Sequence, residues 1–259
     1  MTEHIDIKTV SRMPQLDDRP LAKRIGLIIL ATDHTTEPDF ARMVASERIG
    51  VYVSRIHYAN PVTPETLRAM QPSLTTGATL ILPGETLDAV MYSCTSASVV
   101  IGDQEVEAAV QKAKPGVPVV TPTAAAVLGL KALGARRISI LTPYTPATSR
   151  PMAEYFSSLG FAIDRFSCLS LTDDREMARI APSDIVNFAI EVFDPQSDAL
   201  FISCTAVRAA GVAARIEDAI GKPVVTSNLA TAWHCLRLCG DSTPRPALGR
   251  LMALPLSEA

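Results

Sequence analysis

The chain carries its own architecture twice. Leu87-Asp-Ala-Val-Met-Tyr-Ser-Cys94 matches Ser197-Asp-Ala-Leu-Phe-Ile-Ser-Cys204 almost residue by residue. Pro118-Val-Val-Thr-Pro-Thr-Ala124 is echoed by Pro223-Val-Val-Thr-Ser-Asn-Leu229, and Arg24-Ile-Gly-Leu-Ile-Ile-Leu30 has its counterpart in Arg137-Ile-Ser-Ile-Leu-Thr142. Each Pro-Val-Val segment leads into a helical stretch that ends in glycine, 126–134 in one copy and 230–240 in the other. A repeat of roughly 105–110 residues is too long for a solenoid unit. It describes two homologous lobes related by a pseudo-twofold axis.

The strand runs are short, apolar and nearly continuous, as parallel strands covered on both faces are. Helical segments are expected at 63–71, 104–113, 148–159, 181–193 and 206–219, and 53–58 reads as a second strand. Alternating strands and helices imply doubly wound parallel α/β sheets. Ligands bind such sheets beyond the carboxyl ends of the strands, and that is where Cys94 and Cys204 fall.

Composition narrows the function classes. The 259 residues carry 47% apolar and 20% charged side chains and a net charge of −3, with no basic run to track a nucleic acid. No apolar stretch reaches bilayer length, and residues 1–20 contain Asp6, Asp17 and Asp18 without an apolar core. The expectation is a cytoplasmic protein with an N-terminal arm over 1–20, bound neither to a membrane nor to nucleic acid. Five cysteines, an odd count without a CxxC, argue against a disulfide framework, and the four histidines show no metal-ligand spacing. Cys235 and Cys239, one turn apart, are read as core packing.

Each of the paired cysteines ends an apolar strand and precedes threonine. Both are expected at helix N-termini, where free N–H groups and the dipole stabilise a thiolate and hold a substrate carboxylate. Two thiols across a cleft suit two chemistries. One can remove a proton alpha to a carboxylate while the other delivers one to the opposite face. Alternatively, one thiolate adds to an activated double bond, allows rotation and leaves. Neither route calls for a metal, pyridoxal or flavin cofactor.

These residues resemble the aspartate/glutamate racemase superfamily, and within it the branch of maleate isomerase and arylmalonate decarboxylase. The resemblance runs from Arg24 to about Leu251 and includes Ser93-Cys94-Thr-Ser, Leu130-Lys-Ala-Leu-Gly-Ala-Arg-Arg-Ile138, Pro143-Tyr144, Ser203-Cys204, Pro223-Val-Val-Thr-Ser227 and Arg245-Pro-Ala-Leu-Gly-Arg250. It implies two lobes, each with a four-stranded parallel sheet, and an active site in the cleft between them. The first lobe would be 21–122 plus 228–259, its last helix crossing back, and the second 123–227. It further implies a cofactor-independent isomerase or racemase of a small carboxylic acid, and a homo-oligomer, dimer or higher. Decarboxylases of the branch keep only the second thiol, so two cysteines favour isomerisation. Decarboxylation through Cys204 alone and a non-catalytic acid-binding protein stay open.

Mapped by motif, Thr95, Ser96, Tyr144 and the N–H of Thr205 would hold a carboxylate. Two positions depart from the maleate isomerase pattern. His34, in Ala31-Thr-Asp-His34-Thr-Thr-Glu37, and Asp174, in Leu171-Thr-Asp-Asp-Arg175, stand where that pattern resembles substrate-contacting asparagines. A carboxylate at 174 would repel a dianion and favour a substrate with a cationic group; the other reading is a solvated loop acid. His34 either touches substrate or tips the loop. His57 and His234 are expected to be structural, and Arg55 is a candidate for a distal carboxylate.

Overall fold

The structure, a computed structural model, describes residues 5–58 and 60–256. The first four residues of the expected arm and the last three of the first lobe's tail lie outside these. The first sheet holds β1 (Lys23–Leu30), β2 (Ile49–Ile56), β3 (Ala89–Tyr92) and β4 (Val119–Val120) in the order β2-β1-β3-β4. The second holds β5 (Arg137–Thr142), β6 (Ala162–Cys168), β7 (Ala199–Ile202) and β8 (Val224–Thr226) in the order β6-β5-β7-β8. All pairings are parallel, so the chain is α/β with two four-stranded sheets of the same topology.

Eleven α-helices connect the strands among the described residues: α1 (Thr36–Met43), α2 (Pro64–Arg68), α3 (Gln71–Thr79), α4 (Thr95–Ile101), α5 (Asp103–Gln111), α6 (Pro122–Ala132), α7 (Pro146–Ser158), α8 (Asp174–Met177), α9 (Pro182–Val192), α10 (Ala213–Ile220) and α11 (Ser227–Leu238). They cover both faces of each sheet, which is why β3 and β7 are buried throughout while the edge strands β2 and β6 carry several half-buried positions. None is long and apolar enough to cross a membrane.

The repeat explains where the cysteines fall. Both ladders stop one residue short of them: Ser93 N–H donates to Ile28 O (2.8 Å) and Ser203 N–H to Leu141 O (2.9 Å). The Pro-Val-Val-Thr segments likewise do the same work twice. Two valines enter the sheet and the threonine caps the next helix, Thr121 accepting from Ala124 N–H and Thr226 from Leu229 N–H. A cap of this kind contributes ~1 kcal/mol.

Helix α11 lies against α6 and also touches α1, β3 and β4 of the first sheet; α6 in turn reaches β8 of the second. Trp233, fully buried on α11, donates from Nε1 to Leu254 O (2.9 Å), and Arg237 holds the carbonyls of Met252 and Leu254. The C-terminal segment is thus clasped onto the helix that joins the two halves.

Several elements differ from expectation. The helix expected at 206–219 is a turn over 205–209, a short 3-10 segment Ala210–Val212 and then α10, because Gly211 interrupts helical propagation. The stretch 63–71 splits into α2 and the start of α3. Strand β6, Ala-Ile-Asp-Arg-Phe-Ser-Cys, carries no apolar run because it is a half-exposed edge.

Candidate active site

The two cysteines reach the same place by different backbones. Cys94 is the N-cap of α4, and the Ala97 N–H and the Ser96 hydroxyl, with Oγ 3.8 Å from Sγ, face its sulfur. Cys204 does not open a helix. It turns with φ +93°, a left-handed conformation rare for a residue with a Cβ. Its N–H is held by Ser227 Oγ (3.1 Å), its thiol approaches Met177 Sδ (4.0 Å), and the Ala206 N–H faces its sulfur.

Burial works against the thiolate that the sequence leads one to expect at both positions. Each is 5% exposed. Burial pushes the Cys94 thiol up to about 12, against the pull of the Ala97 N–H and the Ser96 hydroxyl. Cys204 is driven up by burial and then by the charge of Asp174, with Tyr144 and the Ala206 N–H pulling the other way. Desolvation of an anion outweighs the few N–H groups turned toward it.

Around the sulfurs, the lobes supply a shared polar lining. Tyr144, 3% exposed, follows β5 and brings its hydroxyl to the Cys204 thiol and the Ser96 hydroxyl. Asp174, 6% exposed at the start of α8, accepts from Thr32 Oγ1 of the opposite lobe (2.9 Å). Burial, then the charges of Asp33 and Asp173, raise its carboxyl to about 6. Thr95 Oγ1 is 2.8 Å from Ser227 Oγ, and Thr205 Oγ1 donates to Ser93 O (3.2 Å). The structure therefore brings Cys94, Cys204, Ser96, Tyr144 and Asp174 near enough to act on one another, with Thr95 and Thr205 on the loops that carry the two cysteines.

His34 does not join them. It is exposed at the tip of the β1–α1 loop, while its neighbour Asp33 turns inward. Asp33 accepts from Thr35 N–H and Thr36 N–H (both 2.8 Å) and from Thr36 Oγ1 (2.6 Å). An aspartate two and three residues ahead of such donors is a turn signal, and Asp-His-Thr-Thr carries it. Arg55 is occupied: it donates to the carbonyls of Ala31 and Asp33 and pairs with Glu37. His57 is exposed; His234 is half-buried on α11, its pKa lowered to about 4 by desolvation. Cys235 and Cys239 are buried on the same helix, and all five cysteines are free.

Three residues that the sequence did not single out also belong to the site. Ser227 joins the Cys204 and Cys94 loops through one hydroxyl. Asn228 donates from Nδ2 to Asp39 Oδ2 (2.8 Å) and Thr205 O (3.0 Å), tying α1 to the Cys204 turn. Tyr58, beyond β2, is 8% exposed, and its hydroxyl has no hydrogen-bond partner among the described residues. Burial raises its pKa, followed by the charges of Asp174 and of both cysteines.

This arrangement has relatives. The chain is 30% identical to the arylmalonate decarboxylase of Bordetella bronchiseptica over 139 residues, 52% of this chain and 58% of that protein. It is 25% identical to the maleate isomerase of Alcaligenes faecalis over 89% of this chain and 96% of that one. A Nocardia farcinica maleate cis-trans isomerase mutant, solved with a covalently bound succinylcysteine intermediate, superposes with a TM-score of 0.82 at 24% identity, covering 89% and 98% of the two chains. The arylmalonate decarboxylase family model matches residues 62–252, and with three quarters of its length inside that match, this chain belongs to the arylmalonate decarboxylase family.

Proposed function

We propose that the protein is a cofactor-independent isomerase or racemase of a small carboxylic acid, with Cys94 and Cys204 working as a pair. The observation that carries this reading is the presence of two buried thiols at equivalent strand ends, near enough for the charge of one to act on the other, where a decarboxylase of the branch needs one. The kinship with maleate isomerases over most of their length supports it.

The substrate carboxylate is taken by the Ser96 and Tyr144 hydroxyls and by the chain at Thr95 and Thr205. In the proton-transfer route one sulfur, once ionised, removes the alpha proton; the electron pair moves into the carboxylate as an enediolate. The other thiol then returns a proton to the opposite face. In the addition route a sulfur–carbon bond forms, the double bond becomes a single bond that rotates, and the same sulfur leaves as the double bond re-forms. Burial disfavours the anion of either thiol, so ionising one is part of the barrier. The hydroxyl of Tyr144 and the N–H of Ala206 favour the Cys204 anion. His34, at the loop tip, belongs to this reading only if the loop closes on bound substrate.

Cys94→Ser and Cys204→Ser are each expected to lower turnover by at least about 10³-fold, in line with the loss of a covalent or acid–base group. Solvent-deuterium exchange separates the routes, since only proton transfer labels the alpha carbon. A single mutant that keeps near-normal activity on the true substrate overturns the two-thiol scheme; retention by Cys94→Gly points to decarboxylation through Cys204.

A further inference from the structure

Asp174 is a buried carboxylate with too little to satisfy it. Its one hydrogen-bond donor among the described residues is the neutral Thr32 hydroxyl, and it enters no ion pair among them. A carboxylate accepts about four hydrogen bonds, and an uncompensated buried anion is costly. The cations on the neighbouring elements are committed elsewhere: Arg175 to Asp173, Arg55 to Glu37 and the loop carbonyls, Arg42 to Asp39. Of the two carboxylates whose charges act on Asp174, Asp33 is filled by Thr35, Thr36 and Ser93, and Asp173 by Arg175.

The unfilled acceptors face the reacting centre. Met177, one helical turn along α8 on the same face as Asp174, lies against the Cys204 sulfur. A second unfilled oxygen, the buried Tyr58 hydroxyl, lies within reach of the charges of the same carboxylate and the same two thiols.

We infer that Asp174 and Tyr58 seat an ammonium group of the substrate, so that the acid handled between the two thiols is a zwitterion of the amino-acid type and not a dianion. This rests on the two-thiol reading and adds the charge of what enters the cleft. An ammonium group offers three donors and no acceptor, matching two oxygens that lack donors. A second substrate carboxylate placed there meets like charge with no cation among the described residues to offset it.

The same geometry couples recognition to chemistry. The Asp174 charge is one of the forces holding both sulfurs protonated. A substrate cation seated on Asp174 cancels that charge and eases thiol ionisation only when the right molecule is present.

The test measures binding by calorimetry on the Cys94→Ser background, so that turnover plays no part. The probes are amino acids of two to six carbons, each paired with its deaminated acid, together with maleate. At pH 7.5 at least one zwitterion is expected to bind ten or more times more tightly than its deaminated partner, and maleate to bind no more tightly than that partner. In Asp174→Asn the preference should fall below about threefold. The inference is overturned if no zwitterion outbinds its partner, if maleate is the tightest ligand, or if the preference survives in Asp174→Asn. Should that variant not fold, the Asp174-intact comparison decides alone. Active Cys→Ser variants would overturn the two-thiol scheme and leave this binding result standing.

Discussion

At the scale of single residues, the site is a set of groups whose pKa values burial displaces from their ordinary range. Asp174 shows the cost most directly. Its carboxyl is raised from the usual range to about 6 by burial and by neighbouring carboxylates. Between pH 4 and 6 the folded protein keeps a proton there that the unfolded chain releases. Its contribution to stability is therefore fully present below pH 4 and lost as pH rises through 6. Asp174→Asn removes that loss. The variant is expected to be more stable than the wild type by about 1 to 3 kcal/mol at pH 7.5, and by nothing at pH 4. Urea unfolding at both pH values checks this; a variant equally or less stable at pH 7.5 would mean that the carboxylate is satisfied in the folded state. A gain in stability bought by a loss of activity is the pattern expected of a functional site.

Of the two readings of His34 the structure shows the loop tip, and the helix start expected at Cys204 is a left-handed turn. His34 drew attention because a histidine can reach a ligand, yet the loop turns on Asp33, whose short side chain closes hydrogen bonds onto Thr35 and Thr36 and leaves His34 outside. Cys204 was placed at a helix start by analogy with Cys94. The doubled sequence fails after it, where Gly211 stands in a stretch otherwise suited to helix, and the chain takes a turn instead. The places of Cys94, Cys204 and Tyr144 were legible because each sits in a short segment tied to a strand end, where position follows from the ladder; Asp174, six residues beyond β6, was reached only through the family pattern.

At the scale of elements, the repeat made β1, β3, β5, β7 and the two capped helices readable, since identical local patterns fold to identical local structures. Elements without a repeat partner or a clean period escaped it. Helix α3, with Thr75, Thr76, Gly77 and Thr79, has weak propensity and forms because Leu74, Gly77 and Ala78 are buried. The most instructive break in the repeat is at the helix following Pro-Val-Val-Thr: α6 begins with Pro122, α11 with Ser227. The serine supplies the hydroxyl that holds the Cys204 N–H and meets Thr95 Oγ1, so one end of α11 organises both thiol loops. Ser227→Ala leaves a buried N–H without its partner, a loss of about 1–3 kcal/mol, and releases the left-handed turn at Cys204. We expect kcat to fall ten-fold or more. Thr231→Ala, which removes a hydroxyl bonded only to carbonyls of the same helix, should cost stability alone. If both variants lose activity only in proportion to stability, Ser227 has no positioning role.

At the scale of the whole molecule, we propose the division implied by the family pattern: 21–122 with 228–259 as one lobe and 123–227 as the other. Its physical basis is an exchange of helices. Helix α6 leaves the first sheet and touches β8, while α11 leaves the second and touches β3 and β4, and the two helices pack on each other. Further ties cross the cleft, among them Tyr155 Oη to Asp103 Oδ2 (2.7 Å), Thr35 Oγ1 to Ala206 O (2.6 Å) and Val62 N–H to Thr172 O (3.0 Å). Neither sheet can lose its partner without exposing one face of an exchanged helix. Unfolding should accordingly be a single cooperative transition despite the two sheets. The one tryptophan, Trp233, reports from the middle of α11. Its fluorescence and the far-ultraviolet circular dichroism are expected to share a midpoint in urea within about 0.2 M, the scatter of such fits. An earlier tryptophan transition would show that α11 detaches as a separate unit, and the exchanged-helix account of how two halves hold two sulfurs on one cleft would fall with it.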